Sequence, residues 1–261
     1  MDMCFILKKD SDFWTSTLWV ARLRLWILQL RDNIFFDSSK RNEFDDLIDP
    51  IFTDLESAYI MKLKISEIIE KHAIWFDEKT VYSIQNWHII FSQNVDRELN
   101  DLFQNFILRL NKSIKDDLQK LMKFLWIDHG FFYQKDEKYE KWKIEFLQKN
   151  PKFDSFIEML DGDRKWYYLL NTIRNWYEHD WFKLPDIEYD FKANNIVIPK
   201  EIMRIEILWE NGWQFIEDVI IKWLSLHLQE GCFFVTVPED QRDKSMPLKY
   251  NINWVDPAEV K

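Results

Sequence analysis

Bulky apolar residues return every three to four positions along most of this chain, and only four glycines interrupt 261 residues. Spacing near 3.6 is the signature of helices that bury one face, and scarce glycine leaves few places for tight turns or close backbone crossings. With 14 Trp and 47% hydrophobic residues, such faces must be filled by large rings and branched aliphatics. The expected fold class is therefore all-α: a multi-helix bundle, with a small β-hairpin and a C-terminal helix as additions. The length allows one sizeable core, so residues 1–261 are read as one domain, with 1–185 as the bundle and 186–261 as hairpin, long helix and irregular tail.

Taken in order, Asp12–Asn33 carries Leu18, Ala21, Leu25, Leu28 and Phe35 as a stripe and reads as a first amphipathic helix. A polar stretch at Asp37–Asn42 follows, and Pro50 marks the start of a second helix, Ile51–Phe76. Thr80–Phe91 reads as a third helix and Val95–Ile127 as a fourth, with a heptad-like apolar repeat from Leu99 to Leu125. Asp136–Gln148 and Asp154–Leu160 are shorter helices. Asp161-Gly162-Asp163 reads as a turn, with Asp163 capping the helix Arg164–Phe182 that Pro185 stops. Beyond it, Ile187–Phe191 and Ile196–Ile198 flank a turn-like Lys192–Asn195, which predicts a hairpin. Lys200–Gln229 is one long helix or two abutting ones, and Phe233–Val237 is strand-like.

Charge narrows the function. A net charge of −10 excludes a generally cationic nucleic-acid coat, so any RNA contact must be local. Cys4 and Cys232 are far apart and lack metal-ligand spacing, which fits a reducing compartment and no zinc site. The apolar start Met1–Leu7 is too short for a secretory signal core. The most apolar long stretch, Phe13–Leu30, is broken by Arg22 and Arg24, so the expectation is a cytoplasmic protein without membrane attachment.

Polar residues look arranged for chemistry in one place, LLNTIRNWYEHDWF (Leu169–Phe182), where Arg174 and Asn175 precede His179. They supply a fixed cation, an amide and a side-chain type that titrates near neutrality, a set suited to phosphate chemistry. On an ideal helix Asn175 and His179 share a face, whereas Arg174 and His179 point about 140° apart. The competing reading is structural: Arg174 pairs with Glu178 four residues on, and His179 is a packed helix-end residue. Trp176, Tyr177 and Trp181 offer faces on which bases could stack, or bulk for a core or dimer interface. Arg164 and Lys165, about 15 Å back along the helix, could track a neighbouring phosphate or be solvated charges.

An Arg, a polar residue, three more residues and a His, within an all-helical chain, resembles the motif of the ribonuclease members of the HEPN superfamily (higher eukaryotes and prokaryotes nucleotide-binding domains). That resemblance implies a homodimer in which two motif helices meet across a two-fold axis and line one cleft. It implies metal-independent RNA cleavage by the ribose 2′-hydroxyl, with no cofactor. His179 would serve as general base or acid, Arg174 would hold the phosphate, and Asn175 would orient one of them. It also associates such chains with toxins, phage defence and stress responses, and hence with an antitoxin or other regulator protein on a separate chain. The alternative is a HEPN-like helical interaction or dimerisation module without catalysis. Other chemistries lack their residues: no Glu precedes His72, His88, His129 or His227 by three, and neither a phosphate-binding glycine loop nor a nucleophile elbow occurs.

Overall fold

In a computed structural model of the chain, the residues described are 24, 27–28, 30–32, 34–80, 82–85, 88–92, 94–125, 127, 132, 135–179, 182–227, 232–241 and 250–254. Helix α1 (Ser38–Asp77) leads to strands β1 (Tyr82–Gln85) and β2 (His88–Phe91). Next come α2 (Val95–Lys112), a π-helical segment (Ser113–Asp117), α3 (Leu118–Phe124) and α4 (Asp136–Lys149). A short 3-10 turn, Pro151–Phe153, opens α5 (Asp154–His179). Strands β3 (Glu188–Asp190) and β4 (Asn195–Val197), helices α6 (Lys200–Met203) and α7 (Ile205–His227), and strands β5 (Cys232–Thr236) and β6 (Tyr250–Trp254) complete the order. Among the described residues the chain is mostly helical, with three antiparallel strand pairs, β1–β2, β3–β4 and β5–β6. It divides into two compact units, residues 45–216 and residues 1–44 with 217–261.

Three expectations about where helices begin and end fail, each for an identifiable physical reason. Pro50 starts nothing: it lies inside α1, because Phe44, Ile48, Ile51, Leu55 and Ala58, all buried, form one uninterrupted stripe across it. The polar stretch before it opens the helix, the Asp37 carboxylate accepting the amide of Ser39 at 2.8 Å.

The third expected helix, Thr80–Phe91, is a hairpin in register Tyr82↔Phe91 to Gln85↔His88. α1 closes with Lys79 in the left-handed region at φ 58°, where the Thr80 amide donates back to the Trp75 carbonyl at 2.9 Å. A lysine in the usual place of glycine hides that stop from the sequence.

The separation of Asp154–Leu160 from Arg164–Phe182 also fails, since α5 runs through Asp161-Gly162-Asp163 without a break. Those aspartates have side-chain partners. Asp161 accepts from the Tyr139 hydroxyl at 2.7 Å and from Lys143 at 3.2 Å, and Asp163 from the Trp166 indole at 3.0 Å. The predicted hairpin is present as β3–β4, its turn held by Asp190, which accepts the amides of Lys192 and Ala193. The abutting-helix alternative also holds, α6 and α7 meeting at Arg204.

In the unit 45–216, α2 packs against α5. Phe103, Phe106, Leu110, Ile114 and Leu118 are buried there, as are Phe156, Leu160, Leu170 and Ile173. The π-helical segment places residues five apart on one face, so Lys112 reaches Asp117 at 2.7 Å while also donating to Asp54. Arg109 donates to Asp54 at 2.7 Å and Lys120 to Asp117 at 3.1 Å. Burial pushes the Asp117 carboxyl up, but hydrogen bonds from Lys112 and Lys120 outweigh it and hold the group below its ordinary range.

Between α1 and the first two hairpins, Phe76, Tyr82, Phe91, Tyr189 and Phe191 meet in tilted and edge-on contacts at centroid distances of 4.2 to 6.4 Å. His72, buried beside them, shares a 2.9 Å hydrogen bond with the Tyr189 hydroxyl.

In the other unit, Phe35 meets Phe44 at 5.9 Å between ring centroids, and Ile27, Leu30, Val219, Ile220 and Leu224 are buried. Of the expected helix Asp12–Asn33, residues 24, 27, 28 and 30–32 are helical, while Leu18, Ala21 and Leu25 lie outside the described residues. Strand β5 overlaps the strand-like run read from the sequence, displaced by one residue toward the N-terminus, and pairs with β6 from Cys232↔Trp254 to Thr236↔Tyr250.

Candidate functional site

The motif occupies the last turns of α5, and the connection that follows is tied down from α2. Asn100 accepts the amide of Leu184 at 3.0 Å and Asp96 that of Ile187 at 2.8 Å. Both partners project from the first turns of α2, so the helix carrying the motif and the segment leaving it share one support. The chain folds back at once, the Phe182 amide donating to the Trp176 carbonyl at 3.3 Å. Ile173 and Tyr177 face the core, which rolls the intervening positions toward solvent.

At that solvent face four polar side chains converge. Arg174 Nη2 donates to Glu178 Oε2 at 2.6 Å, and Arg174 Nη1 to Asn175 Oδ1 at 3.0 Å. His179 Nε2 stands 3.9 Å from the same Glu178 oxygen. The side chains of Arg174 and Glu178 are 25% and 33% exposed, that of His179 69%. Two expectations are thereby settled in detail. The intrahelical Arg174–Glu178 pair exists, but His179 is not a packed core histidine. Moreover, Arg174 and His179, about 140° apart in helical phase, both lie near one Glu178 oxygen: the guanidinium bonds it, and His179 Nε2 stands 3.9 Å away, beyond hydrogen-bond reach.

The flanking residues sort differently. Trp176 is 39% exposed and lies against Phe182 at 5.6 Å between ring centroids. Tyr177 is buried, with Phe103 and Phe182 at 6.2 and 5.2 Å. Desolvation pushes its hydroxyl well above the ordinary tyrosine range and the nearby Glu201 adds to this, so it is a core residue and not a stacking platform. Trp181 lies outside the described residues.

Arg164 is committed elsewhere: it donates to Asp136 at 2.7 Å, bonds the Tyr168 hydroxyl at 2.7 Å and lies 3.9 Å above the Tyr139 ring. It pins α5 to α4, with its side chain only 12% exposed. Lys165 is exposed.

Glu178 is the residue that sequence reasoning undervalued. Its spacing from Arg174 gave the ion pair, but nothing in the sequence placed its oxygen beside His179. Near the motif, the Tyr167 hydroxyl and Asn171 Oδ1 are buried on α5 without a hydrogen-bond partner, a polar seam beneath Arg174 that apolar periodicity alone does not disclose.

Two surface grooves, of about 430 and 480 Å³, are lined from α1 and α2 and from α1, β4, α6 and α7, and neither includes a residue of α5. Among the described residues, no three His, Cys, Asp or Glu side chains gather as metal ligands, and no helix is long and apolar enough to cross a membrane. No protein-family model matches the chain, and comparison with curated proteins and with solved structures found no match.

Proposed function

We propose that the chain is an endoribonuclease of HEPN type that needs no metal ion, working as a homodimer. The observation that carries this reading is the meeting of an exposed histidine and a half-buried arginine around one oxygen at the end of α5. A scissile phosphate placed there would have Arg174 on a non-bridging oxygen, where planar paired donors best hold charge that grows in the transition state. His179 takes the proton of the ribose 2′-hydroxyl as O2′ attacks phosphorus. The P–O5′ bond breaks, and O5′ leaves with a proton from His179 of the second copy. The products are a 2′,3′-cyclic phosphate and a 5′-hydroxyl. Asn175, bonded to Arg174, keeps the guanidinium aimed, and the partly exposed Trp176 would stack on a base beside the cut. Toxin or phage-defence duty, with a separate antitoxin or regulator protein, follows from the same resemblance.

A second reading, a helical interaction module without catalysis, draws on a specific observation too. Arg174 already has a carboxylate partner, and a net charge of −10 disfavours RNA binding as a whole. One assay separates the two: purified protein, single-stranded RNA and excess EDTA, with His179→Ala alongside. The ribonuclease reading expects cyclic-phosphate ends from the parent protein and none from the variant. It also expects nearly equal unfolding midpoints, because an imidazole 69% exposed contributes little packing. Cleavage that needs added Mg²⁺, or that survives His179→Ala, defeats it. A monomeric mass at working concentration removes the dimer.

A further inference from the structure

Arg174 already holds an anion, and that anion belongs to the protein. Glu178 Oε2 lies 2.6 Å from Arg174 Nη2 and 3.9 Å from His179 Nε2, the two groups that the proposed reaction puts around a phosphate. We infer that the Glu178 carboxylate occupies the seat of a phosphate oxygen and competes with phosphate-bearing ligands for Arg174 and His179. The identity of the ligand as RNA rests on the ribonuclease reading, while the seat itself rests on the geometry.

Three features make Glu178 a displaceable occupant and not a permanent lock. It follows Arg174 by four residues and precedes His179 by one, so a single side chain spans both without moving the backbone. Its side chain is 33% exposed, leaving room for the carboxylate to swing into water when another anion arrives. Arg174 is held from the other side by Asn175 Oδ1 at 3.0 Å, so the guanidinium stays pointed at the seat once Glu178 departs. An exposed intrahelical ion pair is weak, and a phosphate diester with two free oxygens can outcompete it. In a chain of net charge −10 such an arrangement turns away weakly held anions and admits those that bring further contacts, such as a stacked base or a second phosphate.

The test uses the full chain with Glu178→Gln, which keeps shape and removes charge, and Glu178→Ala as a second variant. Two probes that cannot be cleaved are titrated: inorganic phosphate, followed by the NMR signals of the His179 ring, and a single-stranded 2′-fluoro RNA, followed by fluorescence anisotropy. Removing a negative charge about 4 Å from a bound phosphate is worth several-fold in affinity and freeing the arginine about twofold more, so both probes should bind about tenfold tighter. On cleavable RNA, KM should fall.

Unchanged or weaker binding of both probes by both variants overturns the inference, as does a loss of kcat with no gain in binding, which would make Glu178 part of the chemistry. If phosphate binds tighter but RNA is neither bound nor cut, the anion seat stands and the ribonuclease reading falls. If the parent protein cuts RNA and neither variant gains affinity, the reverse holds.

Discussion

Two helical glycines should respond in opposite directions to the same substitution, and the pair tests both the continuity of α5 and the approach of α7 to α2. Gly162 lies in the interior of α5, exposed, and a β-carbon built there meets nothing within 4 Å. Glycine inside a helix costs about 0.5–1 kcal/mol relative to alanine, because it gives up more backbone freedom on folding. Gly162→Ala should therefore stabilise by about that amount.

Gly212 is buried in α7, where a β-carbon would sit 2.6 Å from Leu110 Cδ1 and 3.2 and 3.3 Å from Cγ and Cδ2. Cδ1 must retreat by almost 1 Å and the other two carbons by a few tenths of an ångström to reach ordinary contact, and Leu110 is 0% exposed, so the shift has to be taken up inside the core. Overpacking of this kind costs about 1–3 kcal/mol. Set against the same propensity gain, Gly212→Ala should destabilise by roughly 0.5–2 kcal/mol.

Urea unfolding followed by tryptophan fluorescence reads both, with the slope of free energy against denaturant held constant. The double variant Leu110→Ala/Gly212→Ala should be less destabilised than the two single effects added, because the new methyl fills part of the space that leucine vacates. Loss of stability in Gly162→Ala would restore the turn read from Asp161-Gly162-Asp163. A neutral or stabilising Gly212→Ala would refute the close approach of α7 to α2.

Two further outcomes follow from side chains already placed. Arg174→Lys should lose most RNA cleavage although the charge remains, since an ammonium cannot bond Asn175 and a phosphate oxygen in one plane; near-parental kcat/KM would remove the guanidinium from the mechanism. His72 should make the unit 45–216 lose stability in mild acid. Burial holds its pKa below the ordinary histidine value and the nearby Asp96 only partly offsets this, while the Tyr189 hydroxyl facing it is pushed up to about 12 and stays neutral. The unfolded chain then takes up a proton as pH falls through about 6.5, before the native ring does, so stability is complete above that pH and declines below it. Unfolding free energies at pH 8 and pH 5.5 for the parent and His72→Gln check this, and an equal pH dependence in the two proteins would refute it.

How much of this was legible in sequence depended on whether the deciding physics was local. The helical face of α2 and the hairpin β3–β4 were visible because apolar spacing and turn residues lie within a few positions of one another. The hairpin β1–β2 was not, since Ser83-Ile84 and Ile89-Ile90 fit a helical stripe as well as a strand pair, and the stop before them is a lysine at positive φ. The continuity of α5 escaped for the opposite reason: an Asp-Gly-Asp run is strong turn chemistry by itself, and its aspartates are drawn away by Tyr139, Lys143 and Trp166. Those partners come from outside the run, two of them on α4, so local sequence has no means of announcing them.

The candidate site divides along the same line. The residue types and their spacing were present in six letters of sequence, and the Arg174–Glu178 pair follows from four-residue spacing alone. What ideal geometry could not give was the convergence of Arg174 and His179, because rotamers and not helical phase decide where long side chains end. Groups about 140° apart in helical phase come within 2.6 and 3.9 Å of one Glu178 oxygen. The argument that a second copy is needed to bring the two groups together therefore loses its force, and dimerisation has to stand on other grounds: a second histidine to protonate the leaving O5′, and a second positive seat for the next phosphate along the strand. Separating these roles needs mixed dimers, in which a parental subunit is paired with one carrying His179→Ala. If one histidine both takes and returns the proton, such dimers should keep about half the parental rate. If the two copies divide the work at each site, they should keep almost none.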